Sequence, residues 1–204
     1  MKRDEKNQKM RRRILDSALA EFSDHGYGAS SINTICAAQD ISKGIVYHYF
    51  KTKDALYLAC VEECFQQLTK HIQSVISYED HSIEKQMENY FTLRTHFFQT
   101  YPVYQRLFCE AVISPPAHLK SEIQKCKQGF DALNSQILRK LLTPVSLRPD
   151  ISIEDVIETF RQFQDFINIR YQMTDLDGHT FEMREENCLK ALNILLYGVI
   201  QRKE

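Results

Sequence analysis

The stretch SKGIVYHYFKTKDAL, residues 42–56, sets Tyr47, His48, Tyr49 and Phe50 in a row between Lys43, Lys51 and Lys53. A core helix has no use for the lysines, and a solvated helix has no use for the aromatic rings. At about 100° per residue, the run from Ser42 to Lys51 splits into two arcs. Lys43, Gly44, Tyr47, His48 and Lys51 fall on one arc, and Ile45, Val46, Tyr49 and Phe50 fall on the other. The second arc, with Ile41, is expected to pack inward. The first is polar, rich in donors and small at Gly44, where the backbone can come close to a partner. Such a face fits the roughly 12 Å major groove of B-DNA. Lysines and tyrosine hydroxyls hold phosphates there, while Tyr47 and His48 reach base edges.

The residues upstream supply what the inward arc packs on. Ile14, Leu15, Ala18, Leu19 and Phe22 recur at three- and four-residue steps, predicting a helix over 10–25 that Gly26 ends. Ser30 is expected to cap a short second helix carrying Ile32, Ile35 and Cys36. Gln39-Asp40 makes a turn, Ser42 caps the third helix, and Thr52 caps a fourth with Asp54 in its first turn. Short helices joined by a tight turn outline a helix-turn-helix.

Downstream the helices lengthen, to about 53–77, 82–100, 102–113, 117–142, 152–173 and 180–202. They break at Tyr101-Pro102, at Ser114-Pro115-Pro116, at Thr143-Pro144 with Arg148-Pro149, and at residues 175–178. Ser152 and Asp155 have capping-box spacing. With 6 glycines and 5 prolines in 204 residues, the backbone has few breakers, and an all-α chain is expected. Two domains are expected, a helix-turn-helix domain at 1–52 and a helical domain at 53–204.

Charge divides along the same line. Residues 1–53 hold ten Lys/Arg against six Asp/Glu, although the whole chain has a net charge of −1. A basic first quarter on an acidic remainder points to a polyanion meeting only the first part. No segment is apolar enough to span a membrane, and nothing marks export, so a cytoplasmic location is expected. Phosphate-cradling glycine motifs, a nucleophile elbow and paired-histidine metal motifs do not occur. The expectation is therefore neither an enzyme nor a holder of a cofactor or metal.

From Arg13 to Leu58 the sequence resembles the DNA-binding domain of the TetR (tetracycline-repressor) family of bacterial transcription regulators. The resemblance is carried by ILDSALAEFSDHGYGASSINTICAAQDISKGIVYHYFKTKDAL, above all the I-S-K-G-x-x-Y-x-Y-F-x-x-K core. It implies a homodimeric, ligand-responsive regulator, with repression the expected direction, that binds palindromic double-stranded operator DNA. It also implies release by a small-molecule effector and pairing of subunits through the last two helices. Carried onto this chain, the DNA-contacting set is Ser30, Ser31, Ser42, Lys43, Gly44, Ile45, Tyr47, His48, Tyr49, Lys51 and Lys53. Asp40 stands where relatives commonly have a turn glycine, and Asp tolerates the left-handed region better than most residues. Ser30 and Ser31 keep the hydroxyls of the usual threonines. Ile45 replaces a frequent threonine and either meets a thymine methyl or packs inward.

The family's second domain encloses a ligand pocket, and the aromatic-rich segment 90–108 with the penultimate helix supplies candidates to line one. These are Tyr90, Arg94, Phe97, Tyr104, Phe108, Phe163, Gln164 and Ile167, with Tyr171 beside them; core packing is the competing reading for each. Arg94 hints at an acidic or carbonyl-bearing ligand. The apolar Val156, Phe160, Phe163, Ile167, Leu189, Leu192, Leu196 and Val199 are expected to be buried inside the bundle or against a second copy. An alternative regulator would sense thiol chemistry or a metal through Cys60, Cys64 and Cys109, although cysteine also serves as a small apolar filler.

Overall fold

The structure, a computed structural model, describes residues 3–77, 82–173 and 181–199. Within them run nine α-helices. They are α1 (Arg3–Ala29), α2 (Ile32–Ala38), α3 (Lys43–Tyr49), α4 (Lys53–Val75), α5 (Ile83–Thr100), α6 (Val103–Ile113), α7 (Lys120–Leu142), α8 (Ile153–Met173) and α9 (Phe181–Val199). A 3-10 turn at Ala117–Leu119 leads into α7. The fold is all-α, as the scarcity of breakers predicts. The prolines fall at the expected breaks; the break expected at 175–178 lies outside the described residues.

Two compact units divide the chain. The first comprises Met1–Gln67 with Thr100–Gln128, and the second Leu68–Gln99 with Gly129–Glu204. Both α4 and α7 contribute residues to each unit.

In the first unit α1 packs on α2 and α6. Ile14, Ala18, Phe22, Ile35, Val46, Leu56 and Tyr57 are fully buried at its centre, each large side chain contributing roughly 1.5–3 kcal/mol by leaving water. Gly26 interrupts α1 as expected, at φ 69° and ψ 174°, but the chain resumes helical turns to Ala29. A Cβ at residue 26 would meet Glu110 Oε1 at 3.2 Å. Glu110 accepts the Tyr27 N–H at 3.0 Å and the Tyr57 hydroxyl at 2.8 Å. Glycine therefore serves both the positive φ and the approach of that carboxylate.

Two local expectations are corrected. The helix expected from residue 10 begins at Arg3, where Asp4 and Glu5 in the first turn suit the helix dipole. The cap of α2 is Ser31, whose hydroxyl accepts the Thr34 N–H at 3.1 Å. Ser30, expected in that role, is buried, with its hydroxyl turned to the carbonyls of Glu21 and Gly26.

The second unit is built on the buried Met87, Phe97 and Phe98 of α5 and on α8 packed along α9. The Phe98 and Phe181 rings meet edge to face at 4.8 Å. Ser152 and Asp155 cap α8 reciprocally: Asp155 N–H donates to the Ser152 hydroxyl at 3.1 Å, and Ser152 N–H donates to the Asp155 carboxylate at 2.9 Å.

Candidate functional site

The first unit holds α3 by short-range bonds that leave one of its faces open. Asp40 takes the left-handed conformation at φ 51°, turning the chain between α2 and α3. Arg13 of α1 donates to the Gln39 carbonyl at 2.8 Å, and Ser17 donates to the Ile35 carbonyl at 2.8 Å, fastening the turn and α2 to α1. Ser42 caps α3 by accepting the Ile45 N–H. Val46 and Phe50, with Ile41, are buried beneath it.

On the outward side Lys43, Gly44, Tyr47 and His48 are exposed, with Tyr47 keeping 43% of its surface. A Cβ built on Gly44 meets nothing within 4 Å, so that part of the helix backbone stands open to a partner. Lys51 is exposed and donates to the His48 carbonyl at 3.4 Å. Two residues expected on the inward arc sit elsewhere. Ile45 is exposed at 38%, and the half-buried Tyr49 donates its hydroxyl to Asn7 of α1 at 3.1 Å. The core covers only the narrow strip that holds Val46 and Phe50, and Ile45 and Tyr49 fall at its edges.

Among the other candidates, Ser30 faces inward and Ser31 is half-buried at its cap. Lys53 donates to the Ser30 carbonyl at 2.6 Å and stands 4.4 Å over the Tyr27 ring. Its ammonium steadies the start of α4, alongside Asp54, which accepts the Tyr27 hydroxyl at 2.5 Å. That bond, with His118 also near, holds the Asp54 carboxyl below its ordinary range, while burial and Asp54 push the Tyr27 phenol up to about 12.

The residues nominated around a ligand do not share one unit. Tyr104 and Phe108 belong to the first, where the Tyr104 hydroxyl donates to Glu63 at 2.8 Å and Phe108 packs on Phe65. Tyr90, Arg94, Phe97, Phe163, Gln164 and Ile167 belong to the second. Of these Tyr90, Arg94, Phe97 and Ile167 are buried, Gln164 is half-buried and Phe163 is exposed at 42%. The side chain of Tyr171 lies outside the described residues.

Arg94 is only 1% exposed. Its guanidinium pairs with Glu185 of α9 at 3.1 Å, donates to the Tyr90 hydroxyl at 3.4 Å and stacks near the rings of Phe91 and Phe130. Arg184, also buried, donates to the same Glu185 and to Asn168. The Tyr90 hydroxyl in turn donates to Asn134. Burial works most strongly against the charged guanidinium of Arg94, but Glu185 and Tyr90 together more than offset it and the pKa is raised. A groove of about 540 Å³ opens beside this network, lined on α5 by Glu88, Phe91, Thr92, Thr95, His96 and Gln99, and on α9 by Glu182, Glu185, Glu186 and Leu189. Neither Glu185 nor Arg184 was legible from spacing, because Glu185 lies 91 residues from Arg94 on another helix and Arg184 joins the network through Glu185 and Asn168.

Val156, Phe160, Ile167, Leu192 and Leu196 are buried within the second unit, and Leu189 is half-buried; the Val199 side chain lies outside the described residues. The large apolar groups left outward are instead Phe163, Phe166 and Ile169 on α8 and Met183, Ile194 and Tyr197 on α9. Cys60 and Cys64 are buried, and burial pushes both thiols up, away from the thiolate that redox or metal chemistry needs. Among the described residues no three His, Cys, Asp or Glu side chains are grouped to hold a metal. No described helix is long and apolar enough to cross a membrane.

Residues 14–60 match the family described as bacterial regulatory proteins, tetR family. Over 84 residues the chain is 30% identical to the HTH-type transcriptional repressor DhaR of Mycobacterium sp. (strain GP1), covering 40% of this chain and 41% of that protein. Over 75 residues it is 29% identical to the biofilm operon icaADBC HTH-type negative transcriptional regulator IcaR of Staphylococcus aureus (strain Newman), covering 37% and 40%. The match thus spans about two fifths of the length of each curated relative. The fold agrees over most of the chain with that of the transcriptional regulator FadR from Bacillus subtilis, solved in complex with stearoyl-CoA. The TM-score is 0.67 at 15% identity, over 89% of this chain and 96% of that one.

Proposed function

We propose that this chain, whose residues 14–60 match the tetR family of bacterial regulatory proteins, is a TetR-family transcriptional repressor, cytoplasmic and without catalytic activity. In this reading a homodimer binds a palindromic operator and a small molecule releases it. The observation that carries the reading is α3: its buried face is locked by Val46 and Phe50, while Lys43, Gly44, Tyr47 and His48 stand outward on a basic unit. A face of donors and rings around an open glycine suits the major groove, with lysines on phosphate and Tyr47 and His48 at base edges. The repressors DhaR and IcaR support the direction of regulation.

The two-fold partner is a second copy, docked through Phe163, Phe166, Ile169, Ile194 and Tyr197. Leu192 is filled in by its own protomer and takes no part. A symmetric dimer presents two copies of α3, which a palindrome with half-sites about one helical turn apart would match. Phe166→Glu combined with Ile194→Glu should give soluble monomers in sedimentation, since exposed positions tolerate charge until a partner covers them. An intact dimer would remove these helices from the interface.

Effector control is a population shift. A ligand favouring one conformer of the helical domain changes the placement of α3 through α4, which starts at Lys53 and contributes to both units. The stearoyl-CoA in FadR supports ligand binding within this fold. An acidic ligand reaching Arg94 would compete with Glu185, so the proposed effector is a mainly apolar molecule acting at or beside that network. Sequencing the duplexes that the protein enriches from a random pool tests the whole reading. The expected result is an inverted repeat, and no enrichment over a tagged control would sink it.

A further inference from the structure

The positive charge of the first unit is concentrated away from α3. Residues 4–13 carry Lys6, Lys9, Arg11, Arg12 and Arg13 against Asp4 and Glu5. They form the start of α1, and the first buried residue of that helix is Ile14. The seven residues from Arg3 to Lys9 therefore extend about 10 Å before the first half-buried residue, Met10. Met10 is the one apolar residue of residues 4–13 and is only half-buried, so apolar packing alone does not account for this helix end.

The three arginines are engaged within the protein. Arg11 lies 5.2 Å from the Phe50 ring, Arg12 pairs with Asp16 and Glu63, and Arg13 holds the turn carbonyl of Gln39. Lys6 instead opens onto a cleft of about 510 Å³ that α1 forms with α3. Lys6, Asn7 and Met10 line one wall, and Gly44, His48 and Tyr49 line the other. The Tyr49–Asn7 hydrogen bond ties the walls together.

We propose that this overhang of α1 is a second arm of the DNA-binding surface, in which Lys6 holds a phosphate of the duplex that α3 enters and Asn7 is a positioning residue acting through Tyr49. The proposal rests on the repressor reading above and extends it to residues that the resemblance to the family does not reach, since that match begins at residue 14. The sugar–phosphate backbone is the occupant that the charge selects. The cleft is continuous with the outward face of α3 through Gly44 and His48, and a polyanion lying along that face passes the cleft mouth.

Full-length parent, Lys6→Ala, Lys6→Arg and Asn7→Ala are titrated by fluorescence anisotropy with the selected operator and with a random duplex, from about 50 to about 200 mM salt. Lys6→Ala should bind both duplexes more weakly, and its slope of log affinity against log salt should be shallower by about 0.9, one phosphate's worth. Lys6→Arg should restore the slope. Asn7→Ala should lose affinity severalfold at unchanged slope, because it removes a positioning bond and no phosphate contact. Parental affinity and slope in Lys6→Ala on both duplexes would overturn the arm, and parental affinity in Asn7→Ala would remove the positioning role. A parent that binds no duplex would sink the repressor reading itself, an outcome distinct from a parent that binds and a Lys6→Ala that matches it.

Discussion

Two helix faces in this molecule carry the same kinds of side chain and put them to opposite uses. On α3 a lysine, a tyrosine and a histidine stand around an open glycine, and the bonds that hold the helix are made elsewhere, by Ser42, Val46 and Phe50. On α5 and α9 two arginines, a glutamate and a tyrosine are all buried and bonded to one another. Polar groups facing water keep their interactions available to a partner. Groups already paired in the interior contribute to uniqueness and stability, and removing one strands the others. Substitutions on α3 should therefore change binding and leave folding alone, while substitutions in the network should do the reverse.

The largest effect should come from the network. Glu185→Gln would leave two buried guanidiniums facing an amide, whereas Arg94→Met would leave one guanidinium to one carboxylate. Breaking a buried pair costs about 3–5 kcal/mol, so Glu185→Gln should lower the melting temperature by roughly 6–20 °C, and Arg94→Met by less. The reverse order in calorimetry would mean that Glu185 does not balance both arginines. Next comes Gly44→Leu, at a position where a side chain meets nothing within 4 Å. It should fold as well as the parent, or better by up to about 1 kcal/mol from helix propensity. A leucine standing between helix and groove should nonetheless weaken operator binding tenfold or more, about 1.4 kcal/mol. Equal affinity would show that Gly44 does not face the duplex.

The smallest effect concerns acid. His71 of α4 stacks on His96 of α5 with centroids 6.1 Å apart. Burial, and then His96, hold the His71 pKa below the ordinary imidazole value of about 6.5. The unfolded chain then binds a proton that the folded one refuses, so stability should fall as pH drops from about 6.5 toward the folded value. His71→Leu should flatten that part of the stability profile. An unchanged profile would place the acid sensitivity elsewhere.

What could be read from the residues alone follows the range of the interactions. The capped turn, the buried Val46 and Phe50 and the left-handed Asp40 are set within a few residues of one another, and periodicity and cap chemistry expose them. The helix breaks were legible because prolines mark them. Angle alone places Ile45 and Tyr49 inward, because it says nothing of how wide a strip the core covers. The start of α1 was missed because Asp4 through Arg13 show no apolar period, although Asp4 and Glu5 are a first-turn signal. Arg94 read as a ligand-facing cation because its partner, Glu185, comes from a distant helix, and such pairings leave no trace in spacing.

If α3 binds DNA with a face the fold does not need, Tyr47→Ala separates binding from folding when thermal melting and operator affinity are measured side by side. Tyr47 is 43% exposed, so the variant should melt with the parent, within about 0.5 kcal/mol of stability. Its affinity for the selected operator should fall by about tenfold or more, as for a lost base-edge contact. A variant that melts like the parent and binds the operator as tightly would contradict the account.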